Sequence, residues 1–347
     1  MTDRPLPKLL GPLLRRGPGQ VQVGVEPGRS VVLDGLGEDE VQALAALDGT
    51  QAVPRALTSP AGARVLRVLA DRGLLAVAAG PLGLPPTQRA LLDDDVQALL
   101  RLTSPPEGAY AVAGARREAH VLVAGRGAVP DAVAGTLRRA GVGRVEVGSA
   151  AADAWEAADL ARGPAAEPSA PPRRGPSLVV LAARHALDPR AARPWVRRAV
   201  PVLPVLLGTT EAVVGPLVDP AGSPSGPCLA CLDLARTDLD PAWPRLLEQL
   251  TRPTVGAGAE VGGEASLVAM AAAMTAMVGL GVLDGRRLPP GRSLEVGLPW
   301  PGVRQRYWTA HPRCTAGHAG DAGEGAVDDT TARPVGGPEP PQVRMAG

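Results

Sequence analysis

The stretch His120–Gly148, HVLVAGRGAVPDAVAGTLRRAGVGRVEVG, decides the fold class of this chain. Val121–Ala124 is a short apolar run that predicts a buried strand, and a turn with two glycines follows it. A helix is predicted over about residues 131–140, and a second strand at Arg144–Val147. Strand, helix and strand in this order form a βαβ unit, whose two strands run parallel. The sequence therefore predicts an α/β domain built on a Rossmann-like parallel sheet.

Apolar segments after this unit extend the same domain. Ser177–Ala183 predicts another buried strand, and four further strands are predicted towards the C-terminus. Residues 265–283 are apolar over a length that could cross a membrane. They are mostly Ala, Met and Gly, without Ile or Phe, which favours a buried core or interface helix. Met270, Met274 and Met277 recur at helical spacing and fit a core or a homodimer contact.

A smaller unit is predicted before the α/β domain. Residues 1–19 are rich in Pro and Gly and are expected to be loose. Two strands and three short helices in fewer than 80 residues predict a winged-helix-like module at residues 1–78. The predicted elements are strands at Val21–Val25 and Ser30–Leu36 and helices at Glu38–Gly49, Val53–Leu57 and Gly62–Ala76.

Composition bounds the remaining organisation. A connector with one helix is expected at residues 79–115, the α/β domain at 116–318, and a disordered tail rich in Gly, Asp, Thr and Pro at 319–347. The net charge of +1 gives no global attraction to nucleic acid. The N-terminus lacks the apolar core of a signal peptide. We therefore expect a cytoplasmic protein with no nucleic-acid or membrane partner.

The chain has only three cysteines, and they fall in two clusters. Cys228 and Cys231 lie in GPCLAC, and Cys314 lies in HPRCTAGH. Three cysteines cannot form a disulfide framework, and an intracellular CxxC more often serves metal or redox chemistry. With His318 as the fourth ligand they form a complete set for a structural zinc ion, and His311 is the alternative fourth ligand. A redox pair should open a helix directly after a strand, whereas this pair is expected in a Gly/Pro loop.

The segments GPCLACLDLARTDLDPAWPRLLEQL and HPRC, after a Gly-bearing βαβ unit, resemble the ocin-ThiF-like proteins that bind TOMM precursor leader peptides. That group, also labelled bacteriocin biosynthesis cyclodehydratase domain proteins, has a ThiF-type, ubiquitin-activating-enzyme-like fold. The resemblance covers nearly the whole chain, because the group carries an N-terminal winged-helix RiPP recognition element. It implies a partner protein that binds a ribosomal precursor peptide and docks a YcaO-type cyclodehydratase. Members usually continue after HP with a second cysteine pair, so His318 is a substitute here.

Adenylating proteins of this fold need residues that this chain replaces. Gly125 and Gly127 are kept, but Pro130 stands at the third glycine position and lacks an N–H for phosphate. Ser149 stands in place of the ribose-binding acid, and Arg184 in place of the catalytic acid. We therefore expect a vestigial nucleotide site, no ATP and no catalytic residue. The alternatives are an active ATP-dependent adenylating enzyme and a stand-alone binding protein unrelated to peptide modification.

The resemblance also implies where a leader peptide binds. The second predicted strand is expected at the edge of its sheet, beside the third helix, where an extended peptide can add as a further strand. Apolar side chains of that helix would form the floor of the groove, and its arginines would meet acids of the peptide or form an ordinary solvated face. The expected contact residues are Val31, Val32, Leu33, Arg64, Val65, Arg67 and Leu69.

Overall fold

A computed structural model describes residues 6–28, 30–49, 51–78, 86–103, 108–148, 175–252 and 260–315. The expected tail, Ser149 and His318 lie outside these ranges. The strands are β1 (Leu6–Leu9), β2 (Leu13–Gly17), β3 (Gln20–Val23), β4 (Val31–Leu33), β5 (Leu75–Ala78), β6 (His120–Ala124), β7 (Arg144–Val147), β8 (Leu178–Arg184), β9 (Val202–Leu207), β10 (Glu211–Val214), β11 (Arg292–Gly297) and β12 (Val303–Tyr307). The α-helices are α1 (Glu38–Ala45), α2 (Pro60–Asp71), α3 (Pro86–Leu102), α4 (Gly108–Glu118), α5 (Ala128–Arg139), α6 (Arg193–Arg197), α7 (Leu229–Leu239), α8 (Trp243–Thr251) and α9 (Ala265–Leu283). Short 3-10 helices occupy Arg55–Thr58 and Pro189–Ala192.

The N-terminal part contains two small antiparallel sheets around one apolar core. One sheet has the order β2-β3-β4, and the other pairs β1 with β5. The expectation of a loose N-terminus is wrong for residues 6–17, which form β1 and β2. The expected third helix ends at Asp71, and Leu75–Ala78 forms β5 instead. Local composition does not indicate β1 or β5, because each of these two strands is held by hydrogen bonds to the other, which lies far away along the chain.

Two helices, rather than the one expected, connect this part to the α/β domain. α3 matches the expected helix, and α4 was not foreseen. α4 runs across position 115, where the sequence placed a domain boundary. Arg116 on α4 is buried, and its Nε lies 2.7 Å from Oδ1 of Asp284 at the C-terminal cap of α9. This buried pair joins the connector to the main core.

A seven-stranded mixed sheet organises the rest of the molecule, in the order β12-β11-β10-β9-β8-β6-β7. β7, β6, β8 and β9 run parallel, as the βαβ unit predicts. β10, β11 and β12 are antiparallel, so the expected all-parallel sheet is wrong for this half. The links from β9 to β10 and from β11 to β12 are only a few residues long, and such short links join antiparallel neighbours.

α9 lies on one face of the sheet beside α5 and supplies much of the core. It begins at Ala265 because the side chain of Glu264 accepts a hydrogen bond from the Leu267 N–H at 2.8 Å. Within the described ranges it is the one helix long and apolar enough to cross a bilayer, and 56% of that apolar window is buried in the fold. The prediction of a core helix is confirmed. Met274 is buried, whereas Met277 is exposed.

Candidate functional site

The three cysteines, which we call the cysteine cluster, come together on the sheet face opposite α9. Cys228 is the N-cap of α7, Cys231 lies in the first turn of that helix, and Cys314 follows β12. The Sγ atom of Cys228 lies 3.7 Å from that of Cys231 and 3.6 Å from that of Cys314, across 86 residues of sequence. The expectation that the CxxC pair lies in a Gly/Pro loop is wrong, because the pair opens a helix. A Gly- and Pro-rich loop, rather than a strand, leads directly into it.

These distances fit a shared metal ion. Four sulfurs bound tetrahedrally at about 2.3 Å from zinc lie about 3.8 Å from one another. A disulfide needs sulfurs about 2.05 Å apart, and none of the three cysteines forms one. The three Sγ atoms lie within 4.8 Å of one another, and they form a group that can hold a metal ion.

The surroundings of the cluster disfavour bare thiolates. Burial, together with the neighbouring thiols of Cys231 and Cys314, raises the pKa of the Cys228 thiol to about 12. Cys231 is buried against Leu229 and Leu232, and Cys314 packs on the same apolar cluster. A metal cation would supply the positive charge that ionised sulfurs need at such a place.

His311, the alternative fourth ligand, is held elsewhere. Its Nε2 lies 2.8 Å from Oδ2 of Asp238, and its Nδ1 accepts the Arg313 N–H at 3.2 Å. Both ring nitrogens are therefore engaged, Nε2 by Asp238 of α7 and Nδ1 within the turn after β12, and neither belongs to the cysteine cluster. A cavity of about 860 Å³ borders Cys228, Cys314 and Thr315. Thr315 is the last residue that the structure describes, and His318 lies outside the described range.

The Gly-rich turn between β6 and α5 is packed against another segment of the chain. The Val261 N–H donates to the Arg126 carbonyl at 2.7 Å, and the Val129 N–H donates to the Val261 carbonyl at 3.0 Å. Gly127 has φ +107°, and a Cβ there would lie 3.0 Å from the Val261 nitrogen. Gly127 is thus required for a close backbone approach. Because Val129 is already bonded and Pro130 has no N–H, the first turn of α5 offers few donors to an anion.

No family model and no curated protein sequence matches the chain. Among solved structures, E. coli MccB with ATP has a TM-score of 0.57 at 15% identity, covering 89% of this chain and 99% of that one. A heterocyclase in complex with substrate and cofactor has a TM-score of 0.55 at 16% identity and is covered over 39% of its length. The heterocyclase TruD has a TM-score of 0.57 at 17% identity and is covered over 43% of its length.

The chain has the ThiF-like fold. This confirms the fold expected from the cysteine motifs. The chain spans nearly the whole of MccB but less than half of the two heterocyclases. A likeness at this identity concerns the architecture, and the activity has to be argued from the sites.

In open α/β sheets, ligands bind outside the carboxyl ends of the parallel strands, at the point where the order of the strands reverses. Here that point lies between β6 and β8, next to Gly125 and Arg184. A Cβ on Gly125 would approach the Ala182 carbonyl to 2.9 Å, which shows how tightly the turn packs on β8. Of the two sequence-predicted glycines, Gly125 therefore packs against β8, which ends at Arg184, and Gly127 packs against Val261.

The expected peptide-binding residues lie in the N-terminal part. Among the strands that the structure describes, β4 is hydrogen-bonded to β3 alone, and it forms the edge of that three-stranded sheet. Val31 and Leu33 face the core, and the Val32 side chain is 44% exposed. On α2, Arg64 and Arg67 are exposed, and Val65 is half-buried. Leu69 is fully buried in the core, so it can support a groove from beneath without contacting a peptide itself.

Proposed function

We propose that this chain is a leader-peptide-binding partner protein in the biosynthesis of thiazole/oxazole-modified, bacteriocin-type peptides. Its N-terminal winged-helix-like module would bind the leader of a ribosomal precursor, and its ThiF-like body would present the precursor to a YcaO-type cyclodehydratase in the cytoplasm. The fold supports this proposal, because its structural neighbours include proteins named heterocyclases and E. coli MccB with MccA.

The observation that carries the proposal is the free edge of β4. The Gly24 N–H donates to the Pro12 carbonyl at 2.9 Å, so these two residues form a hydrogen-bonded pair at the end of the β2–β3 ladder. Hydrogen-bonded and non-hydrogen-bonded residue pairs alternate along two antiparallel strands. The N–H and C=O of Gln22 therefore point to β2, whereas those of its two neighbours point to β4. Val32 lies opposite Gln22, and its N–H and C=O therefore point away from the sheet. An extended peptide can pair with these two groups.

The same module offers positive charge for a leader peptide with acidic residues. Arg64 and Arg67 on α2 are exposed and make no ion pair within the described parts of the chain. Guanidinium groups are good donors to carboxylates, and an acidic peptide would give these two a partner. The exposed Val32 side chain provides apolar contact on the strand itself.

The cysteine cluster is proposed to hold one structural zinc ion, with His318 as the fourth ligand. The ion would tie the start of α7, through Cys228 and Cys231, to the segment after β12, through Cys314. A closed set of four protein ligands leaves no open position for catalysis, so the ion would contribute to folding rather than to chemistry.

An adenylating function has less support. An ATP-dependent enzyme needs an acid for Mg²⁺ and free donors for the phosphates, whereas Arg184 ends β8 and Pro130 is buried in α5. The Val129 N–H, which could bind phosphate, is bonded to the Val261 carbonyl. We propose that Gly125 and Gly127 serve helix–sheet packing and that ATP does not bind tightly.

The experiment is a binding titration with the labelled leader peptide of any short Cys/Ser/Thr-rich precursor that is found encoded near the gene. The full chain should bind it at micromolar affinity or better. Val32→Pro removes the N–H that points away from the sheet and breaks no hydrogen bond to β3. The affinity for the peptide should therefore fall by tenfold or more, which corresponds to about 1.4 kcal/mol or more.

Val32→Ala is the matched control, since it shortens the same side chain but keeps the backbone donor. It should bind within about threefold of the wild type, well under the 1.4 kcal/mol that a tenfold loss represents. Equal binding by Val32→Pro, with its circular dichroism spectrum intact, would show that the peptide does not pair with β4. A chain that binds no such peptide at all would favour a stand-alone binding protein.

A further inference from the structure

The segment that carries Cys314 has little apolar surface to hold it. After β12 the side chain of Trp308 is fixed, because its Nε1 donates to Ser293 Oγ at 3.0 Å and Arg236 lies 5.5 Å above its ring. Pro312 and Arg313 are exposed, although Cys314 itself packs on the apolar cluster. Polar contacts must therefore contribute to the path of the chain between Trp308 and Cys314.

Asp238 on α7 binds this segment at two points. Its Oδ2 lies 2.8 Å from Nε2 of His311, and its Oδ1 accepts a hydrogen bond from the Arg313 guanidinium. Between these points the chain turns, and the Cys314 N–H donates to the His311 carbonyl at 2.9 Å. The His311 ring also accepts the Arg313 N–H. One carboxylate thus fixes both sides of the turn that ends in Cys314.

The same helix carries two of the sulfurs and this carboxylate. Asp238 lies seven positions after Cys231 on α7, which is close to two full turns. Residues at that spacing project from the same side of a helix, about 10 Å apart along its axis. α7 can therefore set the distance between the start of the cysteine cluster and the turn that delivers its third sulfur.

We propose that Asp238 is a positioning residue, which holds the His311–Cys314 turn so that the Cys314 sulfur stays beside that of Cys228. The inference deepens the proposed metal site, because it explains how a ligand from a poorly buried segment is kept in place before metal arrives. Residues that orient metal ligands typically change metal affinity or activity by about 10-fold to 100-fold when they are replaced.

The position of Cys314 can be measured without metal. Cys228 has two sulfurs at nearly equal distance, 3.7 Å and 3.6 Å away, so mild oxidation with diamide can join it to either one. Mass spectrometry of the metal-free full chain gives the ratio of the Cys228–Cys314 disulfide to the Cys228–Cys231 disulfide. In Asp238→Ala this ratio should fall by about tenfold, since hydrogen bonds to a charged group are lost. Asp238→Asn, which keeps an acceptor for His311 but loses the charge, should give an intermediate ratio.

The second measurement uses zinc and a chromogenic chelator. Zinc should leave Asp238→Ala about tenfold faster than the wild type. In a Cys314→Ser background the same replacement should have no further effect, because the two residues act through one ligand. Glu248→Gln is the matched control: it removes one exposed negative charge on α8, where Glu248 pairs only with its helical neighbour Arg252 among the described residues.

The outcomes separate this inference from the proposed zinc site. A wild-type chain without zinc would overturn the metal site, and the disulfide ratio would still decide the role of Asp238. An unchanged ratio in both Asp238 variants, or a ratio that falls equally in Glu248→Gln, would overturn the positioning role. If Asp238→Ala does not fold, the ratio in Asp238→Asn decides.

Discussion

Replacing Gly127 by Ala tests whether the Gly-rich turn exists for packing. Gly127 has φ +107° and ψ −168°, a region that side chains rarely adopt, and such a residue costs about 1–3 kcal/mol. The new Cβ would also lie 3.0 Å from the Val261 nitrogen and 3.1 Å from Glu260 Cβ. The nitrogen is a backbone atom and cannot rotate away, so overpacking adds about 1–3 kcal/mol. The total expected loss is about 2–6 kcal/mol, without any nucleotide present.

Gly148→Ala separates the two contributions. Gly148 has φ +112°, but a Cβ there meets no atom of the described residues within 4 Å, so backbone strain is the cost expected for this variant. The difference between the two variants in free energy of unfolding, measured by urea titration and circular dichroism, should be about 1–3 kcal/mol. Hydrogen exchange gives a local readout, because the Val261 and Val129 amides should exchange faster in Gly127→Ala only.

The result that would refute this reasoning is an equal cost for both variants with unchanged exchange at Val261. In that case the approach of residues 260–262 would not require glycine, and the turn would again be a candidate for binding phosphate. The same conclusion would follow if ATP stabilised the wild type and not Gly127→Ala, while the two proteins were equally stable without ATP.

Two further predictions concern the metal and the nucleotide. Elemental analysis of the purified chain should find about one zinc per chain. Cys228→Ser should lower both the zinc content and the free energy of unfolding, because metal binding contributes to folding. Zinc-free protein with three titratable thiols would contradict this prediction. The chain alone should show no ATP–pyrophosphate exchange with any peptide, since Pro130 and Arg184 replace groups that the reaction needs; robust exchange would restore the adenylating alternative.

Some of this protein can be predicted from local sequence because the deciding interactions are local. The helix Ala265–Leu283 and the strand Arg144–Val147 match the sequence expectation. A long apolar run with a capping acid forms its helical hydrogen bonds within itself, and a short apolar run between turn residues favours a strand. The two cysteine clusters were also evident from sequence, since a chain with three cysteines offers few other groupings.

Other features were decided by contacts between distant parts of the chain. β1 and β5 exist because Leu6–Leu9 and Leu75–Ala78 complete each other's backbone hydrogen bonds, and neither segment shows this by itself. The antiparallel half of the sheet is also a matter of pairing, because an apolar strand carries no mark of its direction. The role of Gly127 depended on where Val261 lies.

The cysteine cluster shows both sides of this division. The sequence by itself determined which atoms are available, namely three sulfurs and a histidine at ligand-like spacing. Only the tertiary structure brought Cys314 to 3.6 Å from Cys228 and assigned His311 to Asp238 instead of the cluster. The physical reason is that ligand chemistry belongs to the side chain alone, whereas a binding geometry requires several segments to be fixed at once by the packed fold around them.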